Sequence, residues 1–193
     1  MERALGFAVL AAFYIIYFGK LIAQRRRGIR THQIGKGQKP RSVMAVEKLL
    51  SFSTCAVTVV EIICLIFCRG TDSLGLLILG AVLGIAGDTV FAVSVYTMRD
   101  SWRAGIPAED RTQLVTTGIY CFSRNPAFLG FDLTYLSILV LCFHPVLLLF
   151  TMLAIVSLHL QILQEEIFLT GVFDDSYRIY CRKTGRYLGC KRI

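Results

Sequence analysis

Long apolar runs alternate with short polar ones along this chain. The first run covers about Leu5 to Ala23 and stops at Arg25-Arg26-Arg27. A helix needs roughly 20 apolar residues to cross a bilayer core about 30 Å thick, so the run has the length of one span. Only Arg3 precedes it as a basic charge, and no small-residue cleavage site follows, which predicts a retained anchor rather than a cleaved signal. Gln24 to Arg41 is basic and holds Gly28, Gly35, Gly37 and Pro40, which predicts a loop. Further spans are expected over about Leu49–Cys68 and Leu74–Met98, joined by a tight turn at Arg69–Ser73. Arg99 to Asn125 is the longest polar stretch, with Trp102, Pro107 and Tyr120 as interface and loop landmarks. Asn125-Pro126 combines an N-cap residue with proline at the first helical position and starts a fourth span reaching Phe143. His144-Pro145 turns the chain into a fifth span that ends near Leu163, followed by an amphipathic or loop-like tail. The expected fold is therefore all-α: a single polytopic membrane domain over residues 1–193 with about five transmembrane helices, the last two forming a hairpin.

Composition sharpens this picture. Apolar residues make up 55% of the 193 positions and charged residues 18%, far from a soluble domain. The net charge of +8 lies in loops between apolar spans rather than on one soluble module. Anionic lipid headgroups, not nucleic acid, are the expected partner. Residues 24–48 hold eight Lys/Arg, 99–126 four and 178–192 six, against one in 69–73 and none in 144–145. By the positive-inside rule the basic loops and C-terminus face the cytoplasm and the N-terminus lies outside. The short chain, without a large extramembrane segment, is expected in a bacterial inner membrane. Cys55, Cys64, Cys68 and Cys142 fall in or beside apolar runs with no CxxC pair and are expected to be small buried hydrophobes.

Ionisable groups inside a span need a reason, since each costs at least a few kcal/mol to insert. Glu61 and Asp88 are expected to be protonated or hydrogen-bonded between helices. Asp132 lies less than two turns into its helix, within reach of interfacial water. His159 and Glu166, seven residues apart, share one face of the fifth helix. No His or Cys pair at helical spacing suggests a metal, and no glycine-rich phosphate loop is present.

One constellation stands out. Leu114-Val115, Gly118-Ile119-Tyr120, Arg124-Asn125-Pro126, Phe128 and Gly130 are followed about 40 residues later by Glu165-Glu166. The hairpin of the fourth and fifth spans returns Arg124 and the two glutamates to one cytoplasmic surface, where a guanidinium and two carboxylates suit a zwitterionic ligand.

These residues, with Phe173-Asp174, Tyr177 and Tyr180 in the tail, resemble the core of the isoprenylcysteine carboxyl methyltransferase and phospholipid methyltransferase superfamily of membrane enzymes. The resemblance covers about residues 100–188. It implies a methyltransferase-like core in 99–193 behind three N-terminal spans in 1–98. It also implies an S-adenosylmethionine site in which Leu114, Val115, Gly118, Tyr120, Arg124, Pro126, Phe128, Glu165 and Glu166 hold the cofactor. Arg124 and Asn125 would be catalytic, and Trp102, Arg103 and Asp132 would meet a hydrophobic, lipid-like or prenylated acceptor entering from the bilayer. Asn125 stands where the family has histidine; it donates a hydrogen bond but cannot carry a proton. Thr112 or Gln113 replaces a second family histidine. An activated sulfonium donor asks the protein chiefly to align the reactants and exclude water. Two other readings remain open: a membrane reductase using a nicotinamide cofactor, for which Arg103, Arg111 and Arg124 are the available basic residues, and a non-enzymatic scaffold or transport subunit. Oligomeric state has no sequence signal here.

Overall fold

A computed structural model describes residues 1–107 and 112–190. Arg111, Lys191 and Arg192, which entered the charge argument, lie outside the described residues. Five helices make up the fold: α1 (Glu2–Arg26), α2 (Arg41–Phe67), α3 (Leu74–Met98), α4 (Pro126–Leu141) and α5 (Pro145–Lys183). Two 3₁₀ turns, Arg99–Ser101 and Gly118–Cys121, lie between α3 and α4. Four helices, all but α4, are long and apolar enough to cross a membrane. The chain is an all-α polytopic membrane protein. Its outward faces carry Phe7, Ile15, Phe52, Ile78 and Val156, all exposed, as lipid contact requires.

The fourth helix is shorter than the expected span. Its 16 residues rise about 24 Å, against a hydrocarbon core of roughly 30 Å. Its far end still reaches the α2–α3 turn, where Thr71 N donates to Leu141 O at 2.9 Å. The fifth helix differs in the opposite sense. It runs for 39 residues without a loop-like tail, broken only at Asp174, whose φ is 43°. At 1.5 Å per residue, the part of α5 before the break at Asp174 is by itself longer than a bilayer core of roughly 30 Å.

Helices α3 and α4 pack most closely, through glycines. A Cβ built on Gly87 would meet Thr134 N at 2.9 Å and Gly130 O at 3.0 Å, and one built on Gly130 would meet Phe91 N at 2.9 Å. Small residues at such a crossing let two backbones approach where lipid supplies no hydrophobic drive. Helices α2 and α5 form the second close pair, with a hydrogen bond between Ser53 Oγ and Ser157 Oγ. Each pair joins one of the first three helices to one of the last two. Helix α1 lies over α3 and α4 through an aromatic cluster in which Phe13 stacks on Phe91 at 4.6 Å. Trp102 belongs to that buried cluster and is only 5% exposed, so it is no interface anchor.

Among the described residues, some carboxyl oxygens within the spans lack hydrogen-bond partners. Glu61 is fully buried, yet neither carboxyl oxygen has a hydrogen-bond partner, and Asp88 Oδ1 and Asp132 Oδ1 are also unpartnered. Of the two states expected for Glu61, protonated or hydrogen-bonded between helices, the second is not found among the described residues. Cys64 and Cys142 are buried and Cys68 partly so, but Cys55 is exposed.

The α3–α4 crossing yields a prediction. Gly130→Ala should destabilise the protein by about 1–3 kcal/mol, because the new methyl must displace backbone. Gly171→Ala, in helix α5 with nothing within 4 Å of its Cβ position, should stabilise it by about 0.5–1 kcal/mol through helix propensity. Denaturant unfolding in detergent reads both, and equal effects would show that the crossing is not tight.

Candidate functional site

The polar stretch between α3 and α4 is folded back against the end of α5. Gly118 opens the second 3₁₀ turn at φ 62°, a backbone region that favours glycine. Tyr120 in that turn is buried, and its carbonyl accepts from Tyr180 Oη at 2.6 Å. Beyond α5 the chain returns underneath: Arg124 N donates to Gly185 O at 3.0 Å and Gly189 N to Phe122 O at 2.9 Å. The C-terminal segment thus holds the approach to α4 from below.

Glu166 ties these pieces together. Its Oε1 lies 3.1 Å from Arg124 Nη2, and its Oε2 accepts from Arg186 Nη2 at 2.8 Å. Asn125 Nδ2 donates to Glu166 Oε1 at 3.3 Å and to Arg186 O at 3.2 Å. Asn125 does occupy the N-cap position of α4, but its side chain makes no capping bond; it faces the glutamate instead. The hydrogen bond from Arg186 to Glu166 holds the Arg186 guanidinium above its ordinary pKa. Arg124 and Glu166 are largely buried, 11% and 13% exposed, and Arg124 Nε has no partner at all.

Two cavities flank this cluster. The larger, about 480 Å³, runs between α1, α2, α4 and α5 from Gln161 and Glu165 at the polar end to Tyr14, Thr58 and Tyr135 deep among the helices. Its size falls in the range of small-molecule sites. The smaller, about 110 Å³, is walled by Leu114, Val115, Tyr120, Arg124 and Asn125 on one side and by Leu169, Tyr177 and Tyr180 on the other. The two share Trp102, Arg103, Ala127, Phe128 and Glu165. At that shared wall Glu165 Oε1 accepts from Gln161 Nε2 at 3.0 Å, while Gln161 Oε1 is buried without a partner.

A roof of two loops covers the larger cavity. Gln33 N donates to Ala104 O at 2.8 Å and Ala104 N to Thr31 O at 3.0 Å, which joins the α1–α2 loop to the stretch after α3. Glu47, fully buried at the start of α2, fastens both: it accepts from Lys39 Nζ at 2.8 Å, Gly35 N at 2.8 Å and Ile106 N at 3.1 Å.

Of the residues singled out by sequence, Leu114, Val115, Tyr120, Arg124, Asn125, Phe128, Glu165, Trp102 and Arg103 line the smaller cavity. Gly118, Pro126 and Glu166 do not line it. Asp132 lines neither cavity. His159 turns to the C-terminal segment, where its Nδ1 hydrogen-bonds Tyr187 Oη and the rings stack at 5.9 Å. Sequence reasoning missed Gln161, Arg186 and the Lys39–Glu47 pair. Gln161 was open to detection, one turn before Glu165 on the same face; Arg186 and Lys39 sit in loops whose return path has no periodicity.

The model of the isoprenylcysteine carboxyl methyltransferase (ICMT) family matches residues 77–171. That range holds all five residues of the shared wall. No curated protein matches the chain.

Removing the charge of Glu166 tests the cluster. Glu166→Gln should destabilise the protein by about 1.5–3 kcal/mol, since two arginines lose a charged acceptor and Arg124 remains buried. Glu165→Gln, which retains the oxygen that accepts from Gln161, should unfold close to wild type. If thermal unfolding in detergent shows the two variants alike, Glu166 is not the organising residue.

Proposed function

The chain belongs, over residues 77–171, to the isoprenylcysteine carboxyl methyltransferase family, and we propose that it moves a methyl group from S-adenosylmethionine to a lipid-like or prenylated acceptor at the cytoplasmic membrane face. The observation that carries this reading is the wall shared by the two cavities. A methyl transfer needs donor and acceptor in separate compartments that meet at one point, with water kept out of the meeting place.

The residues of the smaller cavity fit such a donor. Leu114, Val115, Phe128 and Leu169 supply apolar walls for a nucleoside, and Arg124, Asn125 and Glu165 supply polar groups for an amino-acid end. Arg124 Nε, buried and unpartnered, is an open donor for a carboxylate. About 110 Å³ holds only part of such a ligand, so binding requires the Tyr177–Tyr180 wall to move outward. When bound, the sulfonium supplies an already activated methyl group.

The protein's own residues then do the positioning. Tyr14, Tyr17 and Phe131 line the larger cavity with aromatic surface for the acceptor's apolar part. Phe128 and Trp102 narrow the passage between the compartments. Glu165 stands at that passage, with its hydrogen bond from Gln161 fixing the carboxyl orientation. Asn125 serves as a positioning residue, because it holds Glu166 and through it Arg124.

Purified protein in detergent should bind S-adenosylhomocysteine and not NADPH; the opposite preference would identify a reductase. Arg124→Lys keeps the charge but loses the planar fork. Its turnover should fall at least about tenfold, or roughly 1.4 kcal/mol, in a methyl-transfer assay with a prenylated acceptor. Wild-type turnover in both Arg124→Lys and Arg124→Ala would reduce the residue to a structural role. The proposed orientation has its own test. In a background without accessible native cysteines, Asp72→Cys should react with an impermeant thiol reagent from outside and Thr112→Cys should not, and the reverse pattern would invert the topology.

A further inference from the structure

A third concavity, about 1050 Å³, lies outside the two cavities described above. It is bounded by the end of α1, the loop from Gly28 to Gly37, and Arg103. Its basic residues are Arg25, Arg30, His32, Lys36 and Arg103, and among the described residues no carboxylate lines it. Leu21 and Ile29 add apolar surface.

The charges around this groove are sorted. Among the described residues, the nearby acids Asp100 and Glu47 are taken by other cations: Arg27 pairs with Asp100 at 2.9 Å, and Lys39 with Glu47 at 2.8 Å. Among the described residues, Arg25, Arg30 and Lys36 enter no ion pair. Nor is the loop a loose charged run. Thr31 Oγ1 donates to Gln24 Oε1 at 2.7 Å, Gln24 Nε2 donates to Trp102 O at 3.2 Å, and the loop is bonded to Ala104 and Glu47 as well. Gly28 and Gly37 turn at φ 76° and 77°, which folds the loop into its concave shape. Uncompensated cations are thus held in a fixed frame one turn beyond the apolar part of α1, at the depth of lipid headgroups.

We propose that this groove is a binding site for the phosphate of an anionic phospholipid headgroup, with the lipid's glycerol and upper acyl carbons against Leu21 and Ile29. Guanidinium groups bind phosphate oxygens in pairs, and a cationic pocket between membrane helices prefers anionic headgroups. The state of His32 agrees: partial burial, together with the field of Lys36 and Lys39, holds its pKa below the ordinary histidine value. An anion in the groove would oppose that field and raise it. This inference does not depend on the methyl-transfer reading. Because Arg103 also lines both other cavities, a bound headgroup would sit beside the proposed reaction site.

Native mass spectrometry of the full-length protein tests the site with phosphatidylglycerol and phosphatidylcholine as competing probes. Wild type should retain phosphatidylglycerol over phosphatidylcholine. The triple variant Arg25→Gln, Arg30→Gln, Lys36→Gln should lose at least tenfold in that preference. A control triple of equal charge, Arg26→Gln, Arg41→Gln, Lys48→Gln, whose side chains do not line the groove, should keep it. A matching unfolding temperature establishes that the variants are folded. Equal losses in both triples, or no preference in wild type, would overturn the proposal, since either reflects general charge or none. Full displacement of the lipid by millimolar inorganic phosphate would overturn it too, by showing a site for free phosphate. In labelled protein, the His32 ring should titrate at higher pH with phosphatidylglycerol than with phosphatidylcholine, and an unchanged His32 pKa would contradict the placement.

Discussion

A single carboxylate, Glu166, holds the polar end of this protein together. It sits on α5, yet its partners are Arg124 and Asn125 at the start of α4 and Arg186 in the segment after α5. Three pieces of chain distant in sequence therefore meet at one side chain. A buried arginine without such a counter-charge would be costly, so the ion pair fixes where α4 can begin. The residues where α4 begins, Asn125 and Pro126, are buried, and Asn125 lines the smaller cavity. Shape and electrostatics of the site follow from one residue's bonding.

Glu47 does comparable work on the opposite side. Its bonds to Lys39, Gly35 and Ile106 hold down two loops that contain few apolar residues of their own. With those loops fixed, the larger cavity has a roof and Arg103 a fixed approach to all three concavities. The helices contribute differently: glycine contacts between α3 and α4, and the serine pair between α2 and α5, bind the first three helices to the last two. Membrane methyl transfer, the activity of the family, asks for such an arrangement, since an apolar acceptor and a polar donor must enter from different media and meet without water.

Apolar periodicity carried most of the helical framework in a form legible from sequence. The third span was expected over Leu74–Met98 and forms over those residues, because a glycine-rich apolar run between polar turns has no other stable arrangement in lipid. The end of α5 was not legible in this way. From Asp174 the chain turns polar and the helix is broken there, and beyond it Tyr177 and Tyr180 dock into the site, a tertiary effect. Trp102 was misplaced for a similar reason: in a polar stretch it looks like an interface residue, but a cluster of aromatic side chains from α1, α3 and α4 encloses it. The motif residues Arg124, Phe128 and Glu165 were visible as a set, whereas the role of Arg186 depends on a loop path that no local pattern encodes. Glu61 is a different case. It was expected to be protonated or hydrogen-bonded between helices; no bond forms among the described residues, and the structure offers no physical account of its burial.

The most direct test of the central claim is an experimental structure of the protein with S-adenosylhomocysteine in lipid. The account places the ligand's sulfur at the wall formed by Trp102, Ala127, Phe128 and Glu165, facing the larger cavity, with the amino-acid end toward Arg124 and the Tyr177–Tyr180 wall displaced outward. A ligand seated in the larger cavity, or one whose sulfur is closed off from that cavity by the shared wall, would contradict it.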